Sequence, residues 1–396
     1  MNRTDSPAWS DSTRCVHAGG ADDPATGAVV TPIHQSSTFL LDDDAYAAIA
    51  AGRGREGLIY TRYANPSQRA VQARIAALEG AEDALVFSSG LAAIAATLAA
   101  LTEPGGHVLA ARELYGGTLG LLRDQLPRWG RSAGFADLRD PAAAAAAIRP
   151  ETAVLYVETI SNPTLRVADL PALAAFARRH GLLLVVDNTF ATPLGVRPLE
   201  HGADLVLHSA SKYLNGHSDL IAGAVAGRRE LIDRIWLQLK ALGGCLDPHA
   251  CFLLERGLKT LAVRLRAHAA SAQAVAEALA EHPAVTRVLY PGLRSHPDHV
   301  LARKLLACFG GMVSFVVDGG DEAALRLCRR LRLAKEATSL GGVETLVSLP
   351  FNTSHVALSA EERAAAGIPP GMVRLSVGIE DPPDLIADLV AALAGR

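Results

Sequence analysis

Residues Val86–Leu101 read VFSSGLAAIAATLAAL, a short apolar run, a Ser-Ser-Gly turn and a long stretch of Ala and Leu. The apolar run is too short for a helix and is typical of a strand, whereas the Ala-rich stretch is composed of strong helix formers. Strands that alternate with helices indicate an α/β fold with a mostly parallel sheet covered on both faces. Similar short apolar runs recur further along the chain, at His107–Ala110, Val154–Val157, Leu182–Val186 and Leu205–Leu207.

The chain changes character near residues 62 and 255. Residues 1–62 are polar and irregular, with the segments LDDDAY and GRGREG, and we interpret them as an arm and loop that contact a partner subunit. Residues 63–255 hold the alternating pattern and predict a large α/β domain. Residues 256–396 contain a helical stretch, Leu258–His282, followed by widely spaced apolar runs, which predict a smaller α+β domain. These runs are Val285–Tyr290, Met312–Val317, Leu346–Leu349 and Met372–Val377.

Charge and composition favour small-molecule partners. The 396 residues include 38 Lys plus Arg against 41 Asp plus Glu, and no basic run exceeds two residues, which argues against nucleic-acid binding. Neither an apolar segment behind the N-terminus nor a membrane span is predicted, so we expect a soluble cytoplasmic protein. The five cysteines are scattered and form no CxxC pair, so neither a disulfide framework nor a metal site is expected.

A lysine stands beside two serines in Asp204–Ser218, DLVLHSASKYLNGHS, directly after a predicted strand. Lysine is the side chain that condenses with carbonyl compounds, and small hydroxyl residues suit a phosphate group. Lys212, with Ser209 and Ser211, is therefore a candidate attachment point for an aldehyde cofactor. Taken alone, such a lysine is more often a surface residue with its ammonium group in water.

Asp187 directly follows the apolar run of GLLLVVDNTFATP. Open α/β sheets bind ligands at the carboxyl ends of their strands, and a buried carboxylate requires a partner. A pyridinium nitrogen would be one such partner, and a helix cap or turn would be another.

Two further segments indicate anion binding. The Ser88–Ser89–Gly90 turn precedes a predicted helix, whose free N–H groups and positive end suit a phosphate, although many such turns are simple caps. Arg374, in MVRLSVGIED, offers a planar guanidinium for a carboxylate or, alternatively, for a surface ion pair. Neither GxGxxG nor GxxxxGK[ST] occurs, which argues against dinucleotide and P-loop nucleotide binding.

Several long motifs follow one another in order from TRCVHAGG, near residue 13, to RLSVGIED, near residue 374. Between these ends stand LYGGT from residue 114, ETISNPTLRVADL from 158, VVDNTFATP from 185, HSASKYLNGHSD from 208 and SLGGVETL from 339. Together they resemble the Cys/Met metabolism family of pyridoxal 5'-phosphate (PLP) enzymes, which includes cystathionine γ-synthase, cystathionine γ- and β-lyases, methionine γ-lyase and O-acylhomoserine sulfhydrylases. The resemblance implies the PLP-dependent aminotransferase type I fold, with a mostly parallel seven-stranded sheet, and PLP as the cofactor.

The resemblance also implies roles for individual residues. Lys212 would bind the cofactor covalently and move protons, Asp187 would pair with its pyridine nitrogen, and Tyr115 would stack on its ring and act as an acid or base. The remaining implied contacts are Gly90, Leu91, Ser209 and Ser211 at the phosphate, Tyr60 and Arg62 at the phosphate of the neighbouring subunit, Asn162 near the phenolic oxygen, and Ser339 and Arg374 at the substrate carboxylate. Because Tyr60 and Arg62 serve a neighbour, the resemblance implies an oligomer, a homotetramer built from two active dimers.

The substrate's distal end is expected to meet few charges. Where cystathionine-handling members of the family tend to carry charged side chains, this chain has Ile59, Gly120 and Thr338. A charged substrate end would lack partners there, which favours a short or apolar γ-substituent. Many methionine γ-lyases have Cys where this chain has Gly117, and we place Tyr60, Gly117 and Thr338 in the substrate pocket.

These positions predict a carbon–sulfur lyase of the trans-sulfuration type. The favoured reaction is γ-elimination on a sulfur amino acid, which yields 2-oxobutyrate, ammonia and a thiol. The alternatives are γ-replacement on an O-acylhomoserine, cystathionine γ-synthase or γ-lyase activity, transamination, and a non-catalytic binding protein on the same scaffold.

Overall fold

The computed structural model describes residues 9–20, 23, 25–356 and 358–394. Its helices are α1 (Asp11–His17), α2 (Asp43–Ala50), α3 (Pro66–Glu79), α4 (Gly90–Leu101), α5 (Gly116–Gly120), α6 (Pro141–Ala146), α7 (Leu170–Arg179), α8 (Thr192–Gly195), α9 (Arg229–Leu242), α10 (Pro248–Lys259), α11 (Leu261–Glu281), α12 (His299–Leu305), α13 (Gly320–Arg330), α14 (Ala360–Ala365) and α15 (Pro382–Ala394). Its strands are β1 (Asp83–Phe87), β2 (His107–Ala111), β3 (Ser132–Ala136), β4 (Thr152–Glu158), β5 (Leu183–Asp187), β6 (Leu205–His208), β7 (Gly223–Gly227), β8 (Val285–Leu289), β9 (Met312–Val317), β10 (Lys335–Glu336), β11 (Leu346–Ser348) and β12 (Met372–Ser376).

The large sheet has seven strands in the order β1-β7-β6-β5-β4-β2-β3, and β7 alone runs against its neighbours. This confirms the predicted mostly parallel sheet. Apolar side chains form one core on each face, one against α3, α7 and α10 and the other against α4 and α9. Because β4, β5 and β6 are parallel, their carboxyl ends meet at one edge of the sheet, where the candidate site lies.

The second sheet has five strands in the order β10-β11-β12-β9-β8. Helices α11, α13 and α15 pack on it and bury a core that is separate from the cores of the large sheet. The domain boundary predicted after residue 255 lies inside helix α10. Helix α10 ends at Lys259, and after Thr260 the chain continues as α11. The single helix expected over Leu258–His282 is therefore wrong at its start; the division at residues 62 and 255 stays a prediction.

Strand β7, with the sequence GAVAG, was not predicted, because Gly and Ala are poor strand formers. The structure supplies the reason for its small residues. A Cβ atom added to Gly223 would lie 2.1 Å from the carbonyl oxygen of Ser89, so the backbone of β7 runs directly beneath the Ser-Ser-Gly turn. Glycine is required for this close approach.

None of the helices in the described part of the chain is long and apolar enough to cross a bilayer.

Candidate active site

Lys212 lies just beyond β6 and joins the two sheets. Its Nζ donates a 2.6 Å hydrogen bond to Oγ of Ser339, which belongs to the loop before β11. Burial, with a contribution from the positive charge of Arg374, lowers the pKa of Lys212 to about 8. About a tenth of the amine is therefore uncharged at pH 7, a few hundred times the fraction at the ordinary lysine pKa, and able to attack a carbonyl carbon.

The backbone around Ser339 is held in an unusual conformation. Ser339 has φ +83°, in the left-handed region that non-glycine residues rarely adopt. Gly341 follows with φ +76°, and a Cβ added to it would lie 2.7 Å from the backbone nitrogen of Tyr213. The loop thus rests directly on the chain that carries Lys212, and this contact sets the distance between the two side chains.

Asp187 lies at the carboxyl end of β5 and accepts three hydrogen bonds. Thr189 donates its backbone N–H at 3.0 Å and its hydroxyl at 2.5 Å, and the Tyr156 hydroxyl donates at 3.3 Å. Burial raises the pKa of Asp187, and the donors from Thr189 and Tyr156 oppose that rise. The backbone N–H of Ser209 donates to the same Thr189 hydroxyl at 2.8 Å, so Asp187 and Ser209 are linked through one side chain.

A candidate phosphate cradle lies between the start of α4 and the segment that carries Lys212. The first N–H groups of a helix, here those of Gly90 and Leu91, have no acceptor within the helix. A Cβ added to Gly90 would lie 3.0 Å from Cα of Ser209, so the two segments touch. Ser211 differs from the expectation, because its hydroxyl is already engaged with Ala222: it donates to the carbonyl at 3.1 Å and accepts from the N–H at 2.9 Å.

Arg374 is the buried cation of the site, only 5% exposed. It donates from Nη1 to Oδ1 of Asn162 at 3.0 Å and from Nη2 to the carbonyl of Ser339 at 3.1 Å. Burial lowers its pKa to about 10, so it remains charged at neutral pH. Its Nε has no hydrogen-bond partner among the described residues, which leaves a buried donor for an incoming carboxylate.

Tyr115 is 46% exposed and lies at the start of α5. Its backbone N–H donates to Oε1 of Glu158 at 2.6 Å. A Cβ added to Gly117 would lie 2.5 Å from Cε1 of Tyr115, so the ring lies over this glycine. Thr338, the other predicted pocket residue, is exposed beside Ser339.

No side-chain hydrogen bond or ion pair within the described residues joins Tyr60 or Arg62 to the other candidate residues. Arg62 donates to the carbonyl of Lys240 at 2.7 Å, and its guanidinium lies 5.6 Å and 5.2 Å from the ring centres of Tyr60 and Tyr63. The ammonium of Lys240 lies 4.7 Å from the ring of Trp236. Arg62 and Lys240 thus both contact aromatic rings, and these cation–π contacts fix the orientation of the two side chains.

Sequence reasoning missed two buried residues near the site, Glu158 and His355. Glu158 directly follows the predicted strand Val154–Val157 and is the last residue of β4. It pairs in register with Asp187, a signal that alignment of the two predicted strands could have supplied. His355 belongs to a turn that packs on the Tyr115 loop, where a Cβ on Gly116 would lie 2.1 Å from the carbonyl of Ser354. Burial, together with the charge of Arg374, lowers the pKa of His355 to about 4, so its imidazole is neutral.

The donor set suits pyridoxal phosphate: an amine with a lowered pKa, a carboxylate at a strand end, helix N–H groups and a buried guanidinium with a spare donor. With the mostly parallel seven-stranded sheet, it defines the class of PLP-dependent enzymes with the type I aminotransferase fold.

Comparison with known proteins identifies the family. The model of the Cys/Met metabolism PLP-dependent enzymes matches residues 12–394, and the chain belongs to that family. It is 42% identical to L-methionine gamma-lyase of Treponema denticola over 99% of both chains, and 43% identical to cystathionine gamma-synthase of Mycobacterium bovis over 96% of both. The crystal structure of cystathionine gamma-lyase from Lactobacillus plantarum complexed with L-serine superimposes with a TM-score of 0.91 at 39% identity, covering 98% of this chain and 99% of that one. The predicted family, cofactor and enzyme class are confirmed.

Proposed function

We propose that the protein catalyses PLP-dependent γ-elimination on a sulfur amino acid, yielding 2-oxobutyrate, ammonia and a thiol. The observation that carries this proposal is the Lys212–Ser339–Arg374 arrangement, in which an amine of lowered pKa and a buried guanidinium meet at one serine. Relatives named L-methionine gamma-lyase, 42% to 44% identical to this chain, support the choice of substrate class.

Lys212 is the group that we assign to covalent cofactor binding and proton movement. When bound, PLP withdraws electrons from the bonds to the substrate Cα atom. As a free amine, the Nζ of Lys212 would take the proton from Cα and would then move a proton at Cβ, so that the Cγ–sulfur bond could break. Positioned proton transfer of this kind typically contributes about 10² to 10⁴ in rate.

The other cofactor contacts hold the ring in place. Asp187 would accept a hydrogen bond from the protonated pyridine nitrogen. Tyr115 would stack on the ring and act as an acid or base beside the leaving sulfur. Asn162 would lie near the phenolic oxygen. The phosphate would take the N–H groups of Gly90 and Leu91, with the hydroxyls of Ser209 and Ser211. For Ser211 this requires its hydroxyl to turn away from the carbonyl of Ala222.

Ser339 and Arg374 are assigned to the substrate carboxylate. The Nε of Arg374 has no partner among the described residues, and the two Nη atoms are anchored to Asn162 and Ser339, so the guanidinium plane is fixed before the substrate arrives. Preorganisation of this kind orients Cα toward Lys212.

The uncharged pocket positions favour a short or apolar γ-substituent. Thr338 is exposed beside Ser339, and Gly117 carries no side chain under the Tyr115 ring, where even a Cβ would lie 2.5 Å from Cε1. The second candidate function is γ-replacement on an O-acylhomoserine, or cystathionine γ-synthase or γ-lyase activity; the relatives named cystathionine gamma-synthase favour it.

We further infer that the active unit is an oligomer, a homotetramer of two active dimers. Arg62 lies over the Tyr60 ring and donates to the carbonyl of Lys240, and no hydrogen bond within the described residues joins either side chain to Lys212, which suits delivery to a neighbouring subunit. Large apolar side chains are exposed on the same N-terminal segment, including Leu40 at 98% and Val29 at 96%. Such a concentration of exposed apolar surface is typical of a subunit interface.

The deciding experiment is incubation of the holoenzyme with methionine, homocysteine, cystathionine and O-acylhomoserines, each with and without an added thiol. Assays for 2-oxobutyrate, ammonia and free thiol separate elimination from replacement. We expect 2-oxobutyrate from methionine or homocysteine without an added thiol. Accumulation of a thiol-dependent transfer product alone would favour replacement instead, and Lys212→Ala controls for reaction outside the site.

A further inference from the structure

Two carboxyl groups stand side by side at the edge of the large sheet. Glu158 ends β4 and Asp187 ends β5, and the two residues are direct partners in the parallel ladder. Their side chains therefore leave the same face of the sheet from strands that lie about 4.8 Å apart. Glu158 is only 8% exposed, and neither carboxyl group forms an ion pair within the described ranges.

The hydrogen-bond donors divide unequally between the pair. Asp187 accepts from the Thr189 N–H, the Thr189 hydroxyl and the Tyr156 hydroxyl. Glu158 accepts from backbone N–H groups only, those of Tyr115 at 2.6 Å and Asn162, and no hydroxyl donates to it within the described ranges. Donors stabilise the ionised form of a carboxyl group, so the negative charge belongs on Asp187.

The surrounding charges act in the same direction. Burial raises the pKa of Glu158 well above its usual range, and the negative charges of Asp187 and Glu113 add to that rise. Glu113 is itself paired with Arg139 at 3.0 Å, on the outer side of the loop. Four other ionisable groups lie close by. The Tyr156 hydroxyl donates to Asp187, and Lys212 and Arg374 both donate to Ser339. His208 is paired with Glu79.

We propose that Glu158 is a positioning residue: as a neutral carboxylic acid it holds the backbone N–H of Tyr115 and leaves Asp187 as the single negative charge facing the cofactor ring. The proposal rests on the ring contacts assigned above to Tyr115 and Asp187. Two adjacent anions in a buried site repel each other, and one of them takes up a proton, as in the paired aspartates of acid proteases. The carbonyl oxygen of a neutral carboxylic acid still accepts the hydrogen bond from the Tyr115 N–H. The Tyr115 loop is therefore held without a second negative charge beside Asp187.

The test uses holoenzyme of the wild type, Glu158→Gln and Glu158→Leu. Glutamine keeps the acceptor and the neutral charge, whereas leucine keeps only the approximate size. Far-ultraviolet circular dichroism establishes that each variant is folded. The first readout is the infrared difference spectrum between the wild type and Glu158→Gln. We expect a carboxylic-acid C=O band, shifted in D2O, in the wild type only; a carboxylate band in its place overturns the proposal.

The second readout is the pH titration of the bound cofactor's visible absorbance. A neutral Glu158 predicts the same midpoint in the wild type and Glu158→Gln. If Glu158 were an anion, its removal would lower the midpoint by about 1 to 3 pH units, because an adjacent negative charge stabilises the positive form of the cofactor. Such a drop would refute the assigned charge.

The Tyr115 contact is tested by cofactor loss and by visible circular dichroism. Glu158→Leu should release PLP about 2- to 10-fold faster than Glu158→Gln, the effect of one lost hydrogen bond, and should weaken the dichroism of the cofactor band. Equal release rates and equal dichroism in the two variants would overturn the positioning role. All readouts require bound cofactor only, so they stay decisive if no sulfur amino acid proves to be a substrate.

Discussion

Replacement of Arg374 by leucine tests the assigned carboxylate site most directly. The guanidinium is 5% exposed, is anchored to Asn162 and Ser339, and has one donor without a partner among the described residues. A hydrogen bond to a charged group contributes about 1.5 to 3 kcal/mol. At about 1.4 kcal/mol per factor of ten, loss of one such bond should lower kcat/KM about 10- to 150-fold. Lysine at this position keeps the charge without the planar donor set and should give a smaller loss.

The same variant should also move a pKa. The positive charge of Arg374 contributes to the lowered pKa of Lys212, about 8, so leucine at position 374 should raise it. Cofactor attachment requires the uncharged amine, whose population falls as the pH drops below that pKa. The rate at which cofactor-free protein binds PLP should therefore show its half-maximum at a higher pH in Arg374→Leu, and at an unchanged pH in Arg374→Lys.

Steady-state kinetics with the identified substrate and stopped-flow PLP binding across pH measure the two effects. Arg326→Leu is the control, because Arg326 is an exposed arginine of α13 with only a loose pair to Glu322. A kcat/KM within threefold of the wild type would refute the carboxylate role. An unmoved pH profile would refute the electrostatic link between Arg374 and Lys212.

Three further outcomes are expected. Lys212→Ala should bind PLP without a covalent bond and lose turnover; a borohydride-stable adduct on another lysine would contradict the assignment. Arg62→Ala should lose PLP faster than the wild type on dialysis. The control Lys240→Ala keeps the backbone carbonyl that Arg62 contacts and should retain more PLP than Arg62→Ala. Equal retention of PLP by Arg62→Ala and the wild type would exclude a phosphate contact from Arg62. Glu79→Ala should cost about 1 to 3 kcal/mol in the free energy of unfolding, because it leaves the buried His208, now bonded at 2.5 Å, without its partner. Glu79→Gln should cost less in the same urea titration, and an equal loss in both variants would show that the hydrogen bond is unimportant.

Much of this protein can be inferred from its residue pattern, because the informative signals are local. A short apolar run followed by a small-residue turn and an Ala-rich stretch predicts a strand and a helix of an α/β fold. The structure forms β1 and α4 at these residues. Lys212 and Asp187 were identifiable for a similar reason: Asp187 directly follows such a run, Lys212 stands a few residues beyond one, and strand ends are where these sheets bind ligands. The motifs also sufficed to indicate the family and its cofactor.

Other features depend on contacts between distant segments, which no local pattern records. The glycines of β7 have low strand propensity, and only the structure shows that the backbone of Ser89 lies against Gly223 and leaves no room for a side chain there. Glu158 reads as an ordinary polar residue until the parallel register places it beside Asp187. The charge that each carboxyl group carries depends on how many donors the fold delivers to it, and the Lys212 pKa depends on burial and on Arg374. Composition and spacing thus determined most strands of the large sheet and the reactive residue types. Tertiary packing decided where β7 forms, which groups meet and how they are charged, because desolvation and hydrogen bonding act between segments that are distant in sequence.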